Sequence, residues 1–471
     1  MSPSDEMFLP GRCHLRTTAE KKPALPKSSM QIDIFHHYSA KVYTSSSSVT
    51  GIVAITTRRD VHFDAIHVLL LGLTTTRVEG ANSPSLVSHA FLKLSMPPAS
   101  YAAFPTLKAG VPYKFPFHFV IPDQLTLNGC NHGIVHGIVG DRLREQHLRL
   151  PPSVGGFEKD DLAPLMAEVK YSVLARVLRR PEPNGKLVKI MESSRRIQVL
   201  PVSFTDDPID PSPQDKLYRT AKAKTLRRNL LAGKLGRLTA RAPQQPGPVY
   251  VATDGRAASE TAAEVILEFE PSVQGVGPPN LSGVSGKVVA HTFYSGAMVA
   301  CFPDRADWMR HGVTEQRGAF ATSVALPSVA DGTRGQQRRW EKSCSSPPSS
   351  SSSPALLLHT MTLRLPVRLP TAKKTFIPTF HSCIASRVYT LQVAITMSAA
   401  GSAGSTTLTL SLPLQVAVEG PAAGADAEQL PSFETAVEGA AADEYLRPRT
   451  LQASASLPGY EDVVRATEVV V

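Results

Sequence analysis

Apolar and polar residues alternate along much of this chain with a period of two. In Gly110 to Pro122, GVPYKFPFHFVIP, Phe115, Phe117 and Phe119 fall on one side and Lys114, Pro116 and His118 on the other. That is the pattern of a strand with one buried face. Phe376 to Ile395, FIPTFHSCIASRVYTLQVAI, has the same character: a Pro-punctuated loop leads into a strand in which Val388, Leu391, Val393 and Ile395 sit among Tyr389, Thr390, Gln392 and Ala394. Shorter runs surround the first stretch: QIDIF from Gln31, AKVYT, VTGIVAIT with Val49, Gly51, Val53 and Ile55 separated by small residues, AIHVLLLGLTTT over 65–76, AFLKLSM, VKYSVLARVLR and RRIQVLPV. Others flank the second: EVILEFEP at 264–271, SGKVVAHTFYS at 285–295, LLLHTMTLRLPVRLP at 356–370 and TLTLSLPLQVAV at 407–418. Short strands at this spacing, with Gly and Pro turns and few helical patterns, predict an all-β protein of two sandwiches.

The boundaries follow from where the pattern fades. Residues 1–29 are polar and irregular and predict disorder; the first sandwich spans 30–205. A Pro/Asp stretch, DDPIDPSPQD, and a basic stretch make a linker over 206–234, and the second sandwich spans 235–420. It is broken near 303–354 by an insert ending CSSPPSSSSSP, read as a flexible loop or as retained non-coding sequence. Such a serine run buries too little apolar surface to offset its ordering entropy. Residues 421–471 form an acidic tail expected to be disordered. A length of 471 residues, 39 prolines and a hydrophobic share of 42% fit a chain that is packed only in part.

Charge divides the chain further. The tail holds nine acidic and three basic residues, a charge of −6, which leaves +16 for the rest of a chain whose net charge is +10. From Lys216 to Arg241 there are nine Lys or Arg and no acid. This segment reads first as a solvated linker. Second comes contact with anionic lipid through Lys216, Lys222, Lys224, Arg227 and Arg228. A nucleic-acid partner ranks a distant third and is not expected, because Tyr218 stands alone and no stacking platform accompanies the charge.

The five cysteines, Cys13, Cys130, Cys301, Cys344 and Cys383, are scattered and form no CxxC, which favours a reducing compartment over a disulfide framework. The N-terminus lacks the apolar core of a signal peptide, and runs such as Val68–Leu71 are too short to cross a bilayer. A cytosolic protein with at most peripheral membrane contact is expected. Cys130, His132, His136 and His147 have zinc-type ligand chemistry, but their spacing is loose and no second Cys/His pair lies nearby in the sequence. Loop histidines and a packed cysteine are the favoured reading, with no metal. Cys383 two residues from His381 reads as a packing cysteine, since nothing supplies an oxyanion site or a third orienting group. Neither a P-loop nor a G-x-G-x-x-G stretch is present. No catalytic residue and no cofactor is expected.

These segments resemble the arrestin fold in its fungal α-arrestin branch. VTGIVAI followed by AIHVLLLGLTTT, LKAGVPYKFPFHFVIP, and HLRLPPSVGG followed by VKYSVLARV carry the likeness in the first half. GKLGRLTARAPQQP, PPNLSGVSGKVVAHTFYS and PTFHSCIASRVYTLQVAI carry it in the second. The resemblance covers residues 30–420 without the serine-rich insert. It implies two immunoglobulin-like sandwiches in tandem. It also implies a non-catalytic adaptor that holds plasma-membrane transporters or receptors and recruits HECT-type ubiquitin ligases through their WW domains, so that the cargo is ubiquitinated and endocytosed. Such a protein would be cytoplasmic and recruited peripherally to the plasma membrane or endosomes. The alternative is an arrestin-fold scaffold in sorting or signalling, such as pH sensing, that works without a ligase. The buried charged switch of metazoan arrestins matches no motif here, so none is expected.

The tail supplies the matching ligand. Leu457-Pro458-Gly459-Tyr460 is a relaxed form of the Pro-Pro-x-Tyr motif, with Leu457 in place of the first Pro. Pro458 would fill the aromatic slot of a WW domain and Tyr460 the second pocket, with Val463 packed beside it. Leu430-Pro431-Ser432-Phe433 has Phe where Tyr belongs and is read as inert. No lysine follows Lys374, so a ubiquitin acceptor on the chain itself must lie upstream, with Lys216, Lys222, Lys224 and Lys234 as candidates.

Overall fold

A computed structural model describes residues 28–420 apart from 80–82, 98–105, 135–136, 183–184, 204–205, 210, 213–214, 228–232, 274, 306–307, 309–315, 328–338, 345–356 and 399–404. The chain divides into two compact units, Met1–Glu419 and Gly420–Val471. The described residues belong almost wholly to the first. Among them, no helix is long and apolar enough to cross a membrane.

In the first half the strands are β1 (Ser29–Ile34), β2 (Val42–Tyr43), β3 (Ser48–Thr56), β4 (Val61–His62), β5 (Ala65–Glu79), β6 (Pro84–Ser95), β7 (Thr106–Leu107), β8 (Tyr113–Val120), β9 (Ala167–Arg179) and β10 (Val188–Val199). They form one sheet in the order β1-β3-β8 and another in the order β2-β10-β9-β5-β6, with β4-β7 as a short pair. The alternation seen in the sequence is what closes them on each other. Phe115, Phe117 and Phe119 of β8 are buried beside Val49 and Val53 of β3, and they meet Val68, Leu70, Tyr171 and Val173 of the opposite sheet in one core. Burying side chains of this size contributes roughly 1.5–3 kcal/mol each. The core is finished by a polar anchor, as the hydroxyl of fully buried Tyr171 donates to the Pro151 carbonyl at 2.6 Å.

The second half contains β11 (Ala221–Arg227), β12 (Lys234–Arg241), β13 (Val249–Val251), β14 (Thr261–Pro271), β15 (Asn280–Ser295), β16 (Arg317–Ala325), β17 (Glu341–Cys344), β18 (Leu357–Val367), β19 (Phe380–His381), β20 (Ala385–Ser398), β21 (Ser405–Leu414) and β22 (Val416–Val418). One sheet runs β11-β12-β14-β18-β17; the other centres on β15 and β20, with β16 outside β15 and with β19 and β21 both paired to β20. Val265, Leu267 and Phe269 of β14 pack against Leu391, Val393 and Ile395 of β20 in a second core.

Two expectations about boundaries are corrected here. The linker placed at 206–234 contains a strand: β11 pairs antiparallel with β12 from Ala221↔Arg241 to Arg227↔Lys234. The insert placed at 303–354 contains β16, which pairs with β15 over Arg317–Ala325, and β17, which pairs with β18. Both were missed because the core already had its apolar strands, and an edge strand needs only one buried row. In β11 only Leu226 is buried, and Lys222 and Lys224 lie on its side of the strand. Lysines on an edge strand also discourage pairing with another chain. The serine run itself lies outside the described residues.

A third departure is α1 (Ile138–Leu148), between β8 and β9 in a stretch read as a Gly-rich loop. The sequence DRLREQHL holds good helix formers, and Pro151 stops the helix soon after Leu148. Leu143 and His147, one helical turn apart, are its buried residues.

Candidate functional site

The two cores interlock. Ile377, Phe380 and Val418 from the second half pack in the first core, and Leu162 from the first half packs in the second. The polar centre of this junction is Arg387 on β20, the largest fully buried side chain among the described residues. Its Nε donates to Thr292 Oγ1 at 2.7 Å, Nη1 to the Asp161 carbonyl at 3.2 Å and Nη2 to the Leu162 carbonyl at 3.1 Å. A buried guanidinium is costly unless its donors are used, and here the planar fork spans oxygens from both halves. Leu162 is held with φ 61°, a left-handed conformation that a leucine seldom adopts. Its N–H donates to Asp160 Oδ1 at 2.8 Å, and Asp160 in turn pairs with Lys374.

The loop that Arg387 grips is shaped by Gly155 and Gly156, both at φ +80°. Only glycine enters that region at no steric cost. At Gly156 a Cβ would also sit 2.6 Å from Arg196 Cζ. The turn aims the Gly155 N–H at Asp161 Oδ2, 2.6 Å away. Burial pushes the Asp161 carboxyl up, against the pull of that N–H and of Arg387. Elsewhere along the junction Thr76 Oγ1 of β5 donates to the Ser295 carbonyl of β15 at 2.7 Å.

The expected alternation along β20 therefore holds only in part. From Ala385 to Leu391 every residue is buried. One side meets the Asp161–Leu162 loop, while Val388 on the other side packs with Phe293, Val299 and Trp308. Tyr218, which stood alone in the basic segment, is buried with its hydroxyl on Asp304 Oδ2 at 2.8 Å.

His291 lies beside this cluster, with Nε2 3.0 Å from Thr390 Oγ1. Burial and the Arg387 charge lower its pKa to about 4, against a small opposing effect of Asp304. The folded imidazole thus stays neutral while the unfolded one takes a proton near 6.5. Stability is unaffected by this group above pH 6.5 and falls as the pH drops from 6.5 towards 4, by roughly 3 kcal/mol in all. Urea unfolding of a His291→Gln variant should show a shallower loss of stability over that range than the unmodified chain. Equal slopes would contradict this.

A second cluster lies at the same junction. Cys130 follows a 3-10 turn at Leu127–Gly129, His147 is on the inner side of α1, and Cys383 sits in the turn between β19 and β20. Cys130, His132, His147 and Cys383 each present one ligating atom, and these atoms all lie within 4.8 Å of one another. His147 Nδ1 is 3.6 Å from Cys130 Sγ and 3.3 Å from His132 Nε2. Three of the four are buried, and His132 is half-buried. Burial and the neighbouring histidines lower the His147 pKa to about 3; burial and Cys130 push the Cys383 thiol up to about 12. The sequence placed the first three residues near each other but gave no sign of Cys383, which arrives from a segment more than two hundred residues away. His136 lies outside the described residues. His381 does not partner Cys383; its ring meets Phe302 edge-on at 5.0 Å.

The other expected site residues are spread out. Lys216, Lys224 and Arg227 are exposed and Lys222 is half-buried. Lys222 and Lys224 share one side of β11, whereas Arg227 follows a register shift in the pairing with β12. Arg228 and the whole Leu457, Pro458, Tyr460 and Val463 motif lie outside the described residues. Compared with family models and with curated proteins, the chain matches none of them.

Proposed function

We propose that this chain is an arrestin-like, non-catalytic adaptor. It links a transporter or receptor at the plasma membrane to a HECT-type ubiquitin ligase and so promotes ubiquitination and endocytosis of that cargo. The observation that carries the reading is the pair of β-sandwiches with interlocking cores and a buried arginine between them, in a chain that continues past Glu419 as a separate unit. Two sandwiches fixed to one another offer broad sheet faces and loops on which a cargo can rest without closing a pocket.

The segments that carry the arrestin resemblance supply strands of both cores, β3, β5, β8 and β9 in one and β15 and β20 in the other. In this reading the tail motif is extended and loses little entropy on docking to a WW groove. Cargo contact and ligase contact are then each weak, and tethering raises the ligase concentration near cargo lysines enough for both to work together. The basic residues of β11 add attraction to an anionic inner leaflet.

The test is direct. A fluorescent peptide of residues 454–464 should bind WW domains of a HECT-type ligase with micromolar affinity, and a Tyr460→Ala peptide should not. An unmodified peptide that fails to bind would remove the ligase from the account and favour a scaffold that acts without one.

A further inference from the structure

We propose that Cys130, His132, His147 and Cys383 form a tetrahedral structural zinc site that staples the two sandwiches together. Three residues come from the excursion between β8 and β9, and the fourth from the β19–β20 turn of the other half. The donor set, two thiols and two imidazoles, is one that zinc favours, and two of the ligand–ligand distances match a tetrahedron. With Zn–S about 2.3 Å and Zn–N about 2.0–2.1 Å, a tetrahedron needs about 3.3–3.4 Å between nitrogens and about 3.5–3.6 Å between nitrogen and sulfur. The His132–His147 edge is 3.3 Å and the Cys130–His147 edge 3.6 Å, and the remaining ligand atoms, Cys383 Sγ included, lie within 4.8 Å of one another.

Charge and burial point the same way. Zinc binding displaces one proton from each thiol, and Zn²⁺ with two thiolates and two neutral imidazoles carries no net charge. A neutral centre can be enclosed by Ile134, Leu143 and Ile384 without a buried counter-ion. Without a metal the cluster is poorly satisfied. The Cys383 thiol reaches only the Gly129 carbonyl, at 3.9 Å, and the Cys130 thiol. A Cys130–Cys383 disulfide would leave both imidazoles unexplained.

The supports are stiff, as a metal site needs. α1 sets His147 inward, one turn from buried Leu143. The turn carrying Cys383 is closed by Ser382 N–H to the Ala385 carbonyl at 2.9 Å and pinned by Val299 N–H to the Cys383 carbonyl at 2.8 Å. Four protein ligands leave no open position for substrate, so the ion's role is to hold the fold. It would join residues far apart in sequence, and its binding would add to the stability of the junction.

The experiment is elemental analysis of the full chain, purified under reducing conditions on a tag without histidines. The expected result is one zinc per chain. The zinc content should drop at least roughly tenfold in Cys383→Ser and in Cys130→Ser, with folding followed by circular dichroism. His132→Gln, at the half-buried position, should fold and lose zinc to a chromogenic chelator at least roughly tenfold more readily. Cobalt added to the metal-free chain should give the visible bands of tetrahedral cobalt and a thiolate charge-transfer band. A chain that is isolated without metal and takes up neither zinc nor cobalt would overturn the proposal. So would zinc retained in full by both cysteine variants.

Discussion

Replacing Arg387 with methionine is expected to cost about 3–5 kcal/mol of stability, a large part of the roughly 5–15 kcal/mol that holds a typical domain together, because three buried oxygens lose a charged donor. Methionine fills similar space but donates nothing. The Asp161 and Leu162 carbonyls and the Thr292 hydroxyl then lose their donor inside the junction. Asp161, already pushed up by burial, also loses a nearby positive charge. The left-handed Leu162 loses the contact that holds its carbonyl, and the loop is freed to relax. Because Arg387 ties one half to the other, urea unfolding should also change from one transition towards two. Arg387→Lys keeps the charge but cannot span three oxygens with a planar fork, so it should fall between the two. A methionine variant within about 1 kcal/mol of the unmodified chain would show that the junction is held by apolar packing alone.

Gly51→Ala should be nearly as damaging. Gly51 is in the middle of β3, with Ile34 of β1 on one side and Phe117 of β8 on the other. A Cβ there would overlap the Asp33 carbonyl oxygen and stand 2.6 Å from Phe117 Cζ and 2.9 Å from Ile34 Cα. One methyl group must therefore push β1 away or drive Phe117 out of its place in the core. The expected loss is about 3 kcal/mol or more, read as a lower urea midpoint with an unchanged slope. Gly277→Ala is the control: nothing lies within 4 Å of its Cβ, and the change should stay within about 0.5 kcal/mol. Equal effects at the two positions would contradict the packing described for β3.

Strands that bury a whole face were legible from the sequence because alternation records burial directly, even in β8 at the end of its sheet. Phe115, Phe117 and Phe119 are buried, and Lys114, Pro116 and His118 are exposed, as the period of two requires. Strands that bury little were less legible. β11 buries one leucine among lysines, and β17 is four residues long. Neither leaves an apolar row that a sequence can display.

The junction was harder still. The cue was present in Ser386-Arg387-Val388-Tyr389-Thr390, where an arginine stands in register with the inward-facing Tyr389 and Leu391. Alternation alone describes one sheet with one wet face. It has no way to record that a second sandwich covers the end of the strand. The Cys/His cluster has the same character. Cys130, His132 and His147 are local, but Cys383 joins them only through the packing of one half on the other, which spacing along the chain does not encode.

The adaptor reading is tested most directly by ubiquitin transfer in a purified system. The full chain is incubated with activating and conjugating enzymes and a HECT-type ligase that carries WW domains. The account predicts that the chain is bound and ubiquitinated on lysines at or before Lys374, and that Tyr460→Ala abolishes both while the fold stays intact. Equal modification of the unmodified and Tyr460→Ala chains, or no binding of either, would contradict it.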